Sequence, residues 1–246
     1  MSGLEGKVAL VTGASRGIGA AIARRLARDG ADVALTYLSA ADKARSAVAD
    51  IEAMGRRGLA IRADSADPHA IEAAVERTAA ELGRLDVLVN NAGIFPNGPI
   101  EDVTLDEIDQ TLAIHVRAVF VASQAAARHM GEGGRIISIG SCLAERVPGP
   151  GITLYAMSKS ALIGFTKGLA RDLGARGITV NVIQPGSTDT DMNPADGPDA
   201  DAERSLIALG HYGQPEDIAA MVAHLAGEGG RFVTGASIAV DGGYAA

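Results

Sequence analysis

The sequence predicts an α/β fold, a doubly wound parallel sheet of about seven strands in one domain with helices on both faces. Three observations carry this. Short apolar runs of strand length alternate with stretches of helical periodicity along the whole chain. The first run, Val8 to Val11, is apolar at every position, as a central parallel strand covered on both faces must be. Directly after it come Gly13, Gly17 and Gly19, spaced G-x-x-x-G-x-G, and then a helix carried by Ile18, Ile22 and Leu26.

The glycines have a steric reason. A residue without Cβ lets the chain turn sharply, lets an anion approach the main chain, and lets the helix start close against the strand. Free N–H groups and the positive end of the helix dipole then face that anion. Set between a buried strand and an amphipathic helix, the triplet reads as a Rossmann-like nucleotide turn rather than a plain tight turn.

The remaining elements follow in order. Residues 31–37 predict a second strand and 40–54 a helix ended by Gly55. Residues 59–63 make a third strand, and Pro68–Leu82 a helix opened by Asp67, with Pro in its first turn, and closed by Gly83. Residues 85–90 are strand four, followed by a Gly/Pro-rich loop at 92–99. Thr104 caps a long helix predicted to reach Met130. Strand five spans 135–140, a helix 153–173 and strand six 177–184. Residues 187–210 are irregular, with a short helix at 201–209, and read as a lid. Pro215–Ala226 is the last helix and Ser237–Val240 the last strand.

Composition narrows the class. The 246 residues suffice for one large domain. Hydrophobic residues make up 47%, yet no run reaches the roughly 18 apolar residues of a membrane span. No secretion signal is visible, and a single cysteine, Cys142, leaves neither a disulfide nor a zinc-type cluster. A net charge of −8 argues against a nucleic-acid surface. The expectation is a cytoplasmic protein with no metal, no membrane and no nucleic-acid partner.

In such sheets ligands bind beyond the carboxyl ends of the strands. Asp64, Asn90, Ser141 and the pair Pro185–Gly186 fall there. Tyr155 and Lys159 stand four apart and share a helix face. A tyrosine titrates near pH 10 and is a poor acid or base at neutrality; a neighbouring ammonium lowers that value.

Together these residues resemble the short-chain dehydrogenase/reductase family, along essentially the whole chain. The motifs are TGASRGIG at residues 12–19, NNAG at 90–93, Ser141, YAMSK at 155–159, PGSTDT at 185–190 and VDGG at 240–243. Within that family the chain is similar to bacterial 3-oxoacyl-[acyl-carrier-protein] reductases and carbonyl reductases. The resemblance implies hydride transfer between a nicotinamide cofactor and a ketone or alcohol. It assigns Gly13, Ser15, Arg16, Gly17, Ile18 and Gly19 to the phosphates and adenosine side. Asp64 and Ser65 flank the adenine, and Asn90, Ala92 and Gly93 the adenosine ribose and its supporting strand. Tyr155 is the general acid or base. Lys159 binds the nicotinamide ribose and lowers the Tyr155 pKa, and Ser141 holds the substrate oxygen. Pro185, Gly186, Thr188 and Thr190 seat the nicotinamide. Family members are typically homotetramers using helices 104–130 and 153–173.

Two departures matter. In LAIHVRAVF, His115 replaces the Asn that usually holds a water in the proton relay; it is either a substitute or a satisfied core histidine. Ser141 also stands 14 positions before Tyr155, one more than in similar proteins, which leaves Ser138 as a weaker candidate. Cys142 reads as packing, lacking a His–acid pair.

An acid at the end of strand two would hold the ribose 2′-hydroxyl of NAD and repel the phosphate of NADP. Here Tyr37 stands at that position, Ser39 follows, and Arg16 with Lys43 can supply positive charge. NADP(H) is therefore the expected cofactor, with NAD(H) kept open. Substrate choice should lie in loops 94–99, 143–153 and 192–210. The acids Asp191, Asp196, Asp199, Asp201 and Glu203 favour a small neutral ketone or alcohol over a 3-oxoacyl thioester. Two other functions remain. Residues 186–198, GSTDTDMNPADGP, are similar to a bacterial subgroup proposed to bind cyclic dinucleotides, and a dehydratase or epimerase could use the same cofactor.

Overall fold

The computed structural model describes residues 3–246. Its sheet has seven strands, all parallel, in the order β3-β2-β1-β4-β5-β6-β7. The strands are β1 (Val8–Val11), β2 (Asp32–Tyr37), β3 (Gly58–Arg62), β4 (Val87–Asn90), β5 (Arg135–Ile139), β6 (Thr179–Pro185) and β7 (Ser237–Val240). The helices are α1 (Gly17–Arg28), α2 (Ala41–Ala53), α3 (Pro68–Leu82), α4 (Leu105–Leu112), α5 (Ala118–His129), α6 (Thr153–Gly174), α7 (Ala200–Leu206) and α8 (Pro215–Ala226). This is the doubly wound fold the alternation predicts.

Period-two alternation sorts the core into two layers. Ala9 and Val11 of β1 join Ile22 and Leu26 of α1, Ile51 of α2 and Ile218 and Val222 of α8. Val8 and Leu10 face the other way, onto Ile71 and Val75 of α3, Ala122 of α5 and Leu173 of α6. Both faces are therefore covered, which is why β1 and β4 are buried at every position.

Helix ends follow local chemistry. Asp67 accepts from the His69 N–H and Pro68 starts α3. Thr104 caps α4 as expected, and Glu107 completes the capping box by accepting from the Thr104 N–H at 2.8 Å.

Two predicted elements differ. The single helix expected from Thr104 to Met130 is α4 and α5 joined by a π turn, Ala113–Arg117. Ala113, Ile114 and His115 are buried in succession, which a 3.6-residue period does not place on one narrow face; the wider turn admits them. The short helix expected at 201–209 ends at Leu206. Beyond it Ile207 enters a small cluster with Cys142, Ala200, Tyr212 and Tyr244. Leu209 then donates its N–H to Gly242 O at 3.0 Å, pairing with the C-terminal turn instead of prolonging the helix.

The end of β5 is fixed by a long-range contact. Gln184 of β6, fully buried, accepts from the Ser141 N–H at 2.6 Å and donates to Ser237 Oγ at 3.1 Å. A Cβ on Gly140 would lie 2.0 Å from Gln184 Oε1. Only glycine lets that amide reach across. Gly140→Ala is expected to cost about 2 kcal/mol by overpacking, measured from the urea midpoint; an unchanged midpoint would mean Gln184 relocates freely.

Candidate active site

A cleft of about 770 Å³ runs along the carboxyl ends of the strands, within the roughly 300–1,000 Å³ usual for small-molecule sites. Of the residues expected there, Gly13, Ser15, Arg16, Gly17, Ile18 and Gly19 line one end, with Tyr37, Ser39, Asp64 and Ser65. Ala92 and Gly93 line its middle; Ser141, Tyr155, Lys159, Pro185, Gly186 and Thr188 line it further on, and Thr190 lines it over the glycine loop, 3.5 Å from where a Cβ on Gly17 would stand.

The glycine loop is stitched to its neighbours. Gly13 has φ +63°, donates its N–H to Thr36 Oγ1 at 2.9 Å, and a Cβ there would meet Ala92 Cα at 2.8 Å. Helix α1 begins with no capping side chain and no acid in its first turn. Its first N–H groups and Arg16 are thus left facing the cleft, an arrangement suited to phosphate. The donor set fits a dinucleotide.

Asn90 is not on the cleft wall. Its amide is buried and donates to Ser123 Oγ at 3.2 Å and Ser138 Oγ at 3.5 Å, so it braces β4 against α5 and β5. This also removes Ser138 as an alternative to Ser141. The next residue, Asn91, reaches the cleft: its Nδ2 donates to Thr12 O at 2.9 Å and Gly13 O at 3.2 Å. Alternation along NNAG could have indicated that only one of the two asparagines reaches the cleft, because adjacent strand residues face opposite ways.

Helix α6 presents Tyr155 and Lys159 together. Lys159 is buried and its Nζ donates to Ile139 O at 3.0 Å, 5.7 Å from the Tyr155 ring centre. Burial pushes the ammonium down to about 8. Ser141 caps a short turn by accepting from the Leu143 N–H at 3.2 Å. Burial raises the Tyr155 hydroxyl to about 12, with the Ser141 hydroxyl opposing the shift. The shift thus runs opposite to the lowering expected from Lys159, because desolvation of the phenolate dominates. Phe95, which the motifs did not single out, packs edge-on against Tyr155 at 4.8 Å. Cys142 is a buried thiol, raised to about 12 chiefly by burial, consistent with packing.

His115 sits behind Tyr155, their ring centres 5.7 Å apart, and both its nitrogens are engaged. Nε2 accepts from the Ile94 N–H at 3.0 Å, and Nδ1 lies 2.8 Å from Ser158 Oγ, which donates its own proton to Tyr155 O. This pattern requires the neutral tautomer with the proton on Nδ1. Both ring nitrogens thus have partners inside the protein, the arrangement of a satisfied core histidine. His115 ties the loop after β4 to the first turns of α6. Burial, and then the charge of Lys159, push it down to about 3.

Residues 187–210 flank the open side. Met192, Asn193, Asp199 and Glu203 line the cleft. Glu203 accepts from Asn193 Nδ2 at 2.9 Å and from Tyr212 OH at 3.0 Å. At the other end Asp191 bridges Lys43 at 2.8 Å and Arg16 at 3.4 Å. Lys43 foremost, with Arg16, holds its carboxyl below the usual range.

Both buried bases have pH consequences. An unfolded His115 takes up a proton near its ordinary 6.5, the folded one only near 3. Stability is therefore lost as pH falls through that window, about 2 kcal/mol by pH 5. Chemical denaturation at pH 7 and pH 5 should show His115→Asn losing about 2 kcal/mol less than the wild type over that interval. Lys159 is penalised at neutral pH, since its folded value of about 8 lies below the ordinary 10.5. Lys159→Met should be more stable at pH 7, by as much as about 3 kcal/mol, with the advantage fading between pH 8 and 10.5. Equal unfolding midpoints at pH 7 would contradict this.

Comparison with known proteins agrees with this geometry. The family model described as Enoyl-(Acyl carrier protein) reductase matches residues 13–245. The cyclic-di-GMP-binding biofilm dispersal mediator protein of Escherichia coli (strain K12) is 48% identical over 246 residues, covering 100% of both chains. A short chain dehydrogenase from Burkholderia cenocepacia J2315, solved in complex with NADP, is 65% identical with a TM-score of 0.98, over 99% of each chain. A blue fluorescent protein from a metagenomic library, solved in complex with NADPH, is 63% identical with a TM-score of 0.97, again over 99% of each chain. Likeness of this depth over the full length leaves one conclusion: the chain belongs to the short-chain dehydrogenase/reductase family of oxidoreductases.

Proposed function

We propose that this protein reduces a small, neutral ketone to a secondary alcohol with NADPH, and runs the reverse with NADP. The observation that carries the reading is the convergence of Ser141, Tyr155 and Lys159 on one wall of a cleft whose other end is the uncapped start of α1 beside Arg16. The NADP and NADPH complexes of the two similar structures support the choice of cofactor. When bound, that cofactor supplies or accepts the hydride at its nicotinamide ring.

Each residue then has a task. The N–H groups of residues 17–19 and the Arg16 guanidinium hold phosphate. Lys159 binds ribose hydroxyls. Ser141 donates a hydrogen bond to the ketone oxygen, and Tyr155 gives that oxygen its proton. A hydroxyl raised to about 12 is protonated at neutral pH, so the protein is set to donate here. Phe95 on one side and His115 on the other limit how the Tyr155 ring can tilt. Residues 187–210 act as the lid.

Charge favours a neutral substrate. At the substrate end the cleft is lined by Asp199 and Glu203, and among the described residues its lining cations are Arg16 and Lys159. An acyl thioester on a phosphorylated carrier would meet carboxylates at the substrate end. A homotetramer is part of the same reading: Phe120, half exposed, pairs with Phe165 across α5 and α6 at 5.7 Å, an apolar face suited to a second copy.

A second reading, a cyclic dinucleotide receptor, is favoured by the relative in Escherichia coli named for binding cyclic-di-GMP. One variant separates them. Tyr155→Phe should lower NADPH-dependent turnover of a ketone panel by about 10²–10⁴-fold, with NADPH affinity within about twofold on the same scale of a single lost hydroxyl. Turnover that survives the substitution would reject Tyr155 as the acid. No turnover in the wild type, together with cyclic-di-GMP binding unaffected by Tyr155→Phe, would favour the receptor.

A further inference from the structure

Three parts of the chain meet at one carboxylate. Arg16 is the last residue before α1, Lys43 lies in the first turn of α2, and Asp191 belongs to the flap of residues 187–210. Asp191 stands at the tip of a tight turn closed by Thr190 and Asn193, which exchange backbone hydrogen bonds at 3.3 and 3.1 Å. Its Oδ2 bridges Lys43 Nζ at 2.8 Å and Arg16 Nη1 at 3.4 Å. Among the described residues neither cation has another acidic partner within ion-pair distance. Thr190, one residue earlier, lies over the glycine loop, 3.5 Å from where a Cβ on Gly17 would stand.

We propose that Asp191 is a specificity-determining residue that occupies the subsite of the ribose 2′-phosphate and must be displaced by it. The proposal rests on the NADP(H) reading above. Arg16 lines the cleft with Tyr37 and Ser39, Lys43 stands four residues beyond Ser39 in the first turn of α2, and the carboxyl end of β2 carries no acid for a 2′-hydroxyl. A 2′-phosphate carries close to two negative charges and three acceptor oxygens, and it claims the same donors. Two anions cannot share them without strong repulsion. The bridge is half exposed on all three side chains, so it is weak enough for a dianion to displace.

The consequence differs by cofactor. NADP(H) turns Asp191 out and unfastens the tip of the flap from the glycine loop. NAD(H), with a hydroxyl at that position, leaves the bridge in place. Because Asn193 of the same turn is bonded to Glu203 on α7, movement of the tip is passed to the part of the flap that lines the substrate end. Asp191 therefore lowers affinity for the phosphorylated cofactor while making the flap responsive to it.

Binding titrations on the full chain test this without turnover. Kd is measured for NADPH, NADH, adenosine 2′,5′-bisphosphate and AMP, with wild type, Asp191→Asn and Asp191→Ala. Both variants should bind NADPH and the bisphosphate about 5-fold more tightly, and the gain should shrink as salt is raised. NADH and AMP, which act as the folding control, should change by less than about twofold, as expected where no ion pair is exchanged. Unchanged NADPH affinity in both variants would overturn the proposal. So would equal weakening of NADPH and NADH, which is the mark of a residue that only supports the flap. A wild-type chain that binds NADH but not NADPH would sink the cofactor reading itself, and the competition with it.

Discussion

Strand β1 lies between β2 and β4, and the chain leaves these two in opposite directions along the sheet. The loops that follow β1 and β4 must therefore part, and the crevice between them is where a ligand can enter a sheet otherwise sealed on both faces. That topological constraint decides the rest. It would also leave two loops unsupported at their point of divergence, and the structure ties them there. Thr12 Oγ1 accepts from the N–H groups of Asn91 and Ala92 at 2.9 and 3.1 Å, while the Asn91 amide donates back to Thr12 O. The glycine loop is thus held by strand ends on both sides rather than by its own short sequence.

At the far end of the crevice one buried cation sets the electrostatics. Lys159 has a single backbone partner, Ile139 O, and its charge is taken from water at a cost to stability. Two neighbouring rings stay neutral, His115 through burial and that charge, Tyr155 through burial. His115 is fixed as an uncharged tautomer by Ile94 and Ser158, and Tyr155 keeps its proton. A site with one unpaired buried charge and two neutral hydrogen-bonding rings is poised for a ligand that brings hydroxyls and a polar oxygen. Stability has been set aside where function needs it.

Much of this was legible in the sequence, for identifiable reasons. The glycine triplet, the Asp67 and Thr104 caps and the Tyr155–Lys159 pair are local patterns, each fixed by residues within a few positions of one another. What escaped depends on contacts between distant segments. Nothing near His115 in sequence signals a π turn, because the turn accommodates partners at Ile94 and Ser158. The phase of NNAG is set by pairing with β1 and β5, so Asn91, to which the motifs assign no role, lines the cleft where Asn90 is expected. Gln184, which fixes the backbone of Ser141, lies 43 residues beyond it. Asp191 reads as one acid among several until Arg16 and Lys43, more than a hundred residues earlier, are brought to it.

The lone thiol has a practical side. Cys142 is buried beside Ser141 and holds its proton up to about 12. Alkylating and disulfide-forming reagents act on the thiolate, which is nearly absent at neutral pH under these conditions. The natural chain therefore behaves as a cysteine-free background for chemical labelling. A cysteine introduced at an exposed position on the flap or on α2 would be the only one to react, so a dye or spin probe could be attached there without first removing a native residue from the wall of the cleft.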